Sequence, residues 1–145
     1  MTQYPPRLLT LVTPPVYEPI TLAEAKLFLR VDGSEEDSLI GDLISAAREK
    51  AEAWMRRSLL TQVWQLQQTY VPGLNIKLAL GPVQSIGSVS ATRLGTTTTL
   101  SASAYTYIPE AQEIEFESAL DADRVTVTYT CGYADAAKIP AGIRQ

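Results

Sequence analysis

The sequence predicts an α+β fold in which an N-terminal helical hairpin or bundle precedes a β-rich region. Three observations carry this. Residues 19–60 hold two helix starts, each followed by apolar residues at helical spacing. From Gln62 the apolar residues alternate singly, and turn dipeptides recur. Helical character returns only near Ile139, as the start of a last helix that the sequence leaves truncated. The 145 residues suit one domain: an extended arm (1–20), a helical part (21–60), a β-rich part (61–133), and a linker with the start of the last helix (134–145).

The arm is punctuated by Pro5-Pro6, Pro14-Pro15 and Pro19, which lack an amide donor and disfavour helix in the residues before them. It carries Leu8, Leu9, Leu11 and Val12, too apolar for a free tail, so it should pack on its own domain or on a neighbour. The short helix is expected over about 21–30. Thr21 to Glu24 forms a capping box, Leu22, Ala25, Phe28 and Leu29 lie along one side, and Asp32-Gly33 ends it. The long helix is expected over about 35–57, about 33 Å at 1.5 Å per residue. A second box at Ser34 to Asp37 would open it, acids crowd its start, and Arg56-Arg57 close it as the macrodipole favours. Its stripe runs through Leu39, Leu43, Ala46, Ala47, Ala51 and Trp54, with Ile40 and Ile44 widening it and Leu39, Leu43 and Trp54 assigned to core.

The β-rich region, about 62–131, opens with a strand over Val63–Tyr70, turned at Pro72-Gly73. Asn75–Leu80 is a second strand closed by Gly81-Pro82, and Val83–Leu94 a third. A hairpin tip follows at Gly95, then strands near Tyr105–Ile108, Glu113–Glu117 and Arg124–Thr130. Pro140 suits the first turn of the last helix.

Composition narrows the function. The net charge of −4 gives no basic footprint for nucleic acid, and no apolar run reaches the ~20 residues of a membrane helix. The proline-broken N-terminus is unlike a signal peptide, so cytoplasmic is the default. Without histidine there is no Ser–His–Asp arrangement and no conventional imidazole zinc site. The lone Cys131 excludes an intramolecular disulfide and is expected as a buried structural thiol.

Six residues stand out as candidates for a channel lining or an interface. Glu113, Glu115 and Glu117 alternate, so a strand would put all three on one face at ~6.6–6.8 Å intervals. That face is either a solvated surface or one past which a polyanion slides without sticking. Arg56 and Arg57 are a helix-end pair with phosphate contact as the functional alternative. Trp64 belongs either to the core or to a subunit interface, where Trp is enriched. Asp121-Ala122-Asp123 lacks the glycine and further acids of a calcium loop and is expected as a turn. No catalytic, cofactor or metal residue is nominated.

Several segments, in order, resemble the head–tail connector (adaptor) family of tailed bacteriophages, prophages and gene transfer agents. They are Pro19–Lys26, the turn with Glu35-Glu36-Asp37, Leu43–Arg48, Arg57–Trp64, Gly81–Ile86, Val125–Tyr133 and Ile139–Gln145. The resemblance spans about residues 15–145. It implies a helical bundle with a β-rich insertion, forming a ring with copies of itself, typically a dodecamer, in the virion at the head–tail junction after assembly in the bacterial cytoplasm. The ring would extend the DNA channel below the portal protein and dock stopper or tail-completion proteins. DNA would pass without specific binding, and no enzyme activity, cofactor or membrane partner is implied. Family members continue into a long C-terminal helix, at whose threshold this sequence stands. Two other classes remain as alternatives: an intracellular β-rich adaptor that binds along a strand edge, and a His-free carboxylate-dependent hydrolase.

Overall fold

The computed structural model describes residues 5–144, so the arm's first four residues and Gln145 lie outside the described residues. The arm forms a strand, β1 (Arg7–Thr13), which pairs antiparallel with β2 (Gln62–Thr69). The arm therefore packs on its own sheet. Two helices follow it, α1 (Leu22–Leu29) and α2 (Asp37–Met55). After β2 come β3 (Ile76–Lys77), β4 (Val83–Arg93), β5 (Thr96–Thr99), β6 (Tyr105–Ile108), β7 (Glu113–Phe116), β8 (Arg124–Cys131) and the short α3 (Ala141–Arg144).

The strands make a five-stranded sheet in the order β1-β2-β8-β4-β5 and a three-stranded sheet in the order β3-β7-β6. Along β8, Val125, Val127, Tyr129 and Cys131 are buried while the threonines between them are half-buried, as strict alternation requires. Leu66 and Val89 sit opposite Val127 on either side. Ile76 and Ile114 of the smaller sheet complete the same core, and Tyr70 meets Phe116 edge to face at 5.8 Å. A second cluster of Leu59, Leu60 and Ile139 ties the end of α2 to the segment before α3.

Several expectations change. The Thr21 box forms: its hydroxyl accepts from the Glu24 amide at 3.1 Å, and Glu24 accepts from the Thr21 amide at 2.8 Å. The Ser34 box does not. The long helix starts at Asp37, with Glu36 at the cap and no side-chain bond there. Lys26 takes the Asp37 carboxylate at 2.7 Å, which ties that acid to α1. Replacing Thr21 by Ala should therefore cost about 1 kcal/mol, whereas Ser34→Ala should stay within ~0.5 kcal/mol by urea titration. The backbone N–H bond and then the hydroxyl of Thr21 lower the Glu24 pKa, so its capping contribution is full above the ordinary carboxylate range and is lost as pH falls through the lowered value.

Left-handed Arg30 (φ 58°) ends α1, ahead of Asp32-Gly33, and left-handed Arg56 (φ 53°) ends α2. Only Ile76 and Lys77 of Asn75–Leu80 pair as strand: left-handed Leu80 turns the chain away, and the partner strand β7 is itself four residues long. The largest correction concerns the core. Leu39 (58%), Leu43 (57%) and Trp54 (88%) are exposed, and the residues α2 buries are Ile40 and Arg48. The larger sheet packs with the smaller one rather than over this side of the helical hairpin, so part of the apolar stripe has nothing above it among the described residues.

Candidate interaction surfaces

Of the exposed stripe residues Leu39, Leu43 and Trp54, Leu43 lines an open apolar groove of about 810 Å³, and Leu39 and Trp54 lie outside it. Ala25, Phe28 and Leu29 of α1 form one wall, and Leu43, Ile44 and Ala47 of α2 the other. Buried Ile40, Leu59 and Ile139 also line it, as does Ile143 of α3. None of the residues of α1 is buried, and Phe28 is 87% exposed. Four residues of α3, tied to Glu24 through Arg144 at 3.5 Å, are too few to cover the groove. A contiguous apolar surface rimmed by charge marks an interaction site.

Beneath this groove lies an ion network centred on buried Arg48, with half-buried carboxylate partners. Arg48 donates to Glu18 at 2.7 Å and to Glu52 at 2.9 Å. Glu52 also accepts from the Leu59 amide at 2.8 Å and from the Gln62 side chain at 2.6 Å. One carboxylate thus joins α2, the loop after it and β2.

Arg56 and Arg57 open into a second cleft of about 510 Å³, together with Arg7 and Lys77. The Arg7 guanidinium donates to the Lys77 carbonyl, which ties β1 to β3. The main chain at Arg57 is held by a parallel bridge to Leu80. Sequence reasoning nominated the arginine pair and missed Arg7 and Lys77. With those two 70 positions apart in the chain, no local pattern could have joined them.

Glu113, Ile114, Glu115 and Phe116 alternate outward and inward along β7, and Glu117 follows just beyond it. Glu113 is half-buried and accepts from the Asn75 amide group at 3.2 Å. Glu115 and Glu117 are exposed, and Glu117 accepts from the Thr106 hydroxyl at 2.8 Å. Trp64 is half-buried against the main core beside Leu11 of β1, and its indole N–H donates to Gln62 at 3.1 Å. The exposed indole is that of Trp54. Asp121 pairs with Arg93, and Asp123 accepts from the Leu94 amide at 2.9 Å, which fits a turn.

Cys131 is buried beside Ser58, with Sγ and Oγ 3.2 Å apart. Burial, helped by the negative charge of Glu52, pushes its pKa up to about 11, while the Ser58 hydrogen bond acts the other way. Tyr129 is likewise raised by burial, with its hydroxyl donating to the Ala79 carbonyl at 2.7 Å. The folded state holds the Cys131 proton above pH 9, where the unfolded chain loses it, so this group's stability contribution falls as pH rises from 9 towards 11. Native protein should resist iodoacetamide at pH 8 and react fully once unfolded in urea, as mass spectrometry would record.

Among the described residues, no group of three or more His, Cys, Asp or Glu could hold a metal ion, and no helix is long and apolar enough to cross a membrane.

Residues 19–145 match the family described as "Phage gp6-like head-tail connector protein". No curated protein matches the chain. Among solved structures, a chain from the "Neck of empty GTA particle computed with C6 symmetry" superposes with a TM-score of 0.71 at 22% identity, covering 92% of this chain and 76% of that one. A chain from the "Virion of native gene transfer agent (GTA) particle" gives 0.72 at 22% identity, with the same shares covered. A third, from the "Neck of native GTA particle computed with C12 symmetry", gives 0.58 at 18% identity, covering 92% of this chain and 74% of that one.

Proposed function

The chain belongs to the phage gp6-like head–tail connector family, and from that membership we propose that it acts as a ring subunit at the head–tail junction of a phage, prophage element or gene transfer agent. The observation that carries this reading is the open apolar groove between α1 and α2. A face with Phe28 and Leu43 in water stabilises nothing until further protein, from a neighbouring copy or from more of the last helix, covers it, and a structural connector is built on such contacts. Repeated head-to-tail contact closes into a ring when its rotation divides a full turn.

The ring would extend the DNA channel below the portal protein and dock a stopper or tail-completion protein on its far side. Glu113, Glu115 and Glu117 suit a channel or interface surface, because an acidic wall lets a polyanion pass without holding it. The role needs no catalytic step and no cofactor.

The reading is tested by Leu43→Asp. In sedimentation experiments the parent chain should associate with increasing concentration, and the variant should bind its neighbours at least ~10-fold more weakly. Its urea midpoint should barely move, since Leu43 is already exposed in the single chain. A variant that associates, and binds portal protein, like its parent would remove the groove from the account.

A further inference from the structure

The cleft at the C-terminal end of α2 has a charge pattern unlike the rest of this acidic molecule. The chain has 12 lysines and arginines. Among the described residues, Lys26, Arg48, Arg93 and Arg144 have a carboxylate within 4.0 Å. Eight have none, and four of these, Arg7, Arg56, Arg57 and Lys77, open into one cleft whose only acidic lining residue is Glu110, whereas Arg30, Lys50, Arg124 and Lys138 do not line it. The gathering is built into the fold. Left-handed Arg56 swings the chain off the helix axis, the bridge to Leu80 fixes Arg57, and the Arg7–Lys77 bond closes the other side.

Leu78, Leu80 and Pro82 line the same cleft, so its walls combine cations with apolar surface. That mixture suits a carboxylate-bearing protein segment better than a bare phosphate backbone. Such a segment exists on the chain itself. In the turn between α1 and α2, Asp32, Glu35 and Glu36 are exposed, and none has a cation within 4.0 Å among the described residues. Their neighbour Asp37 is already engaged by Lys26. The 19 residues of α2 hold this turn about 28 Å from the cleft, at the opposite end of the helix.

We propose that the basic cleft receives the acidic α1–α2 turn of a second copy of this chain. Two complementary patches at opposite ends of one helix cannot satisfy each other within a molecule. Between molecules they make a heterologous contact, the kind that repeats and closes into rings. Two acids on and just after β7 are poorer candidates: Glu113 lies opposite Lys77 in the same small sheet, and Glu113 and Glu117 already accept hydrogen bonds. This inference rests on the ring reading above and assigns its electrostatic contact.

The test uses Glu36→Cys and Arg57→Cys in one chain, with buried Cys131 left in place. Mild oxidation should give a ladder of cross-linked dimers, trimers and higher species. A mixture of the two single variants should stop at dimers, and each single variant alone should stay unlinked. Separately, Arg56→Glu with Arg57→Glu should weaken self-association by roughly tenfold at low salt, and adding Glu35→Arg with Glu36→Arg to the same chain should restore it. Normal association with no ladder and no charge effect would overturn this contact and leave the ring reading standing. A chain that stays monomeric at every concentration would remove both. Loss of binding to a short DNA duplex in the arginine variant, with association intact, would overturn the proposal in favour of a phosphate contact.

Discussion

Replacing Gly132 by alanine is expected to destabilise the fold by at least ~3 kcal/mol. The residue sits at φ +101°, where side chains are strained, and an added Cβ would lie 1.9 Å from the Leu60 carbonyl oxygen. That carbonyl is backbone in the bridge between Leu60 and Tyr133, so it cannot swing aside as a side chain could. Gly132 cannot move either: its amide donates to Pro82 at 2.8 Å, and its carbonyl accepts from Gln84 at 2.7 Å. Gly95 is the control. It also has positive φ (+84°), but nothing lies within 4 Å of its added Cβ, so Gly95→Ala should cost only ~1 kcal/mol. Urea unfolding followed by Trp fluorescence separates the two. A Gly132→Ala loss no larger than that of Gly95→Ala would contradict the described close approach.

Glu52→Ala should cost about 3 kcal/mol, at the lower end for a broken buried ion pair, because Arg48 keeps Glu18. The substitution strands more than a charge. The Leu59 amide and the buried Gln62 side chain lose their acceptor in the same step, and α2 loses its polar tie to β2. Glu49 also approaches Arg48, at 3.7 Å, but is 71% exposed, so Glu49→Ala should stay within ~0.5 kcal/mol. Equal effects at the two positions would show that the network contributes little.

Much of the fold is legible because local patterns and tertiary packing agree. The alternation of β8, the Thr21 capping box, β6 and the inward Ile114 and Phe116 follow from residue order alone. Expectations fail where a distant residue intervenes. Lys26 captures the acid that would have completed the second box, eleven positions away. The Asn75–Leu80 segment has strand composition, yet a short partner and a left-handed Leu80 stop its ladder. Helical periodicity identifies the apolar face of α2 but cannot say what covers it, which is why Leu39, Leu43 and Trp54, expected in the core, are exposed. The basic cleft was half legible for the same reason: Arg56-Arg57 is a local pair, whereas Arg7 and Lys77 reach it only through the sheets.

The helical hairpin thus presents the open groove along its side and the acidic turn at one end of α2, while the cleft at the other end is completed by Arg7 and Lys77 of the sheets. Cryo-microscopy of assembled particles from the host of this gene tests the connector role most directly. The account predicts this chain repeated around the axis between head and tail, with neighbouring protein seated over Phe28 and Leu43. Particles that lack the chain, or hold it with that groove open to solvent, would contradict it.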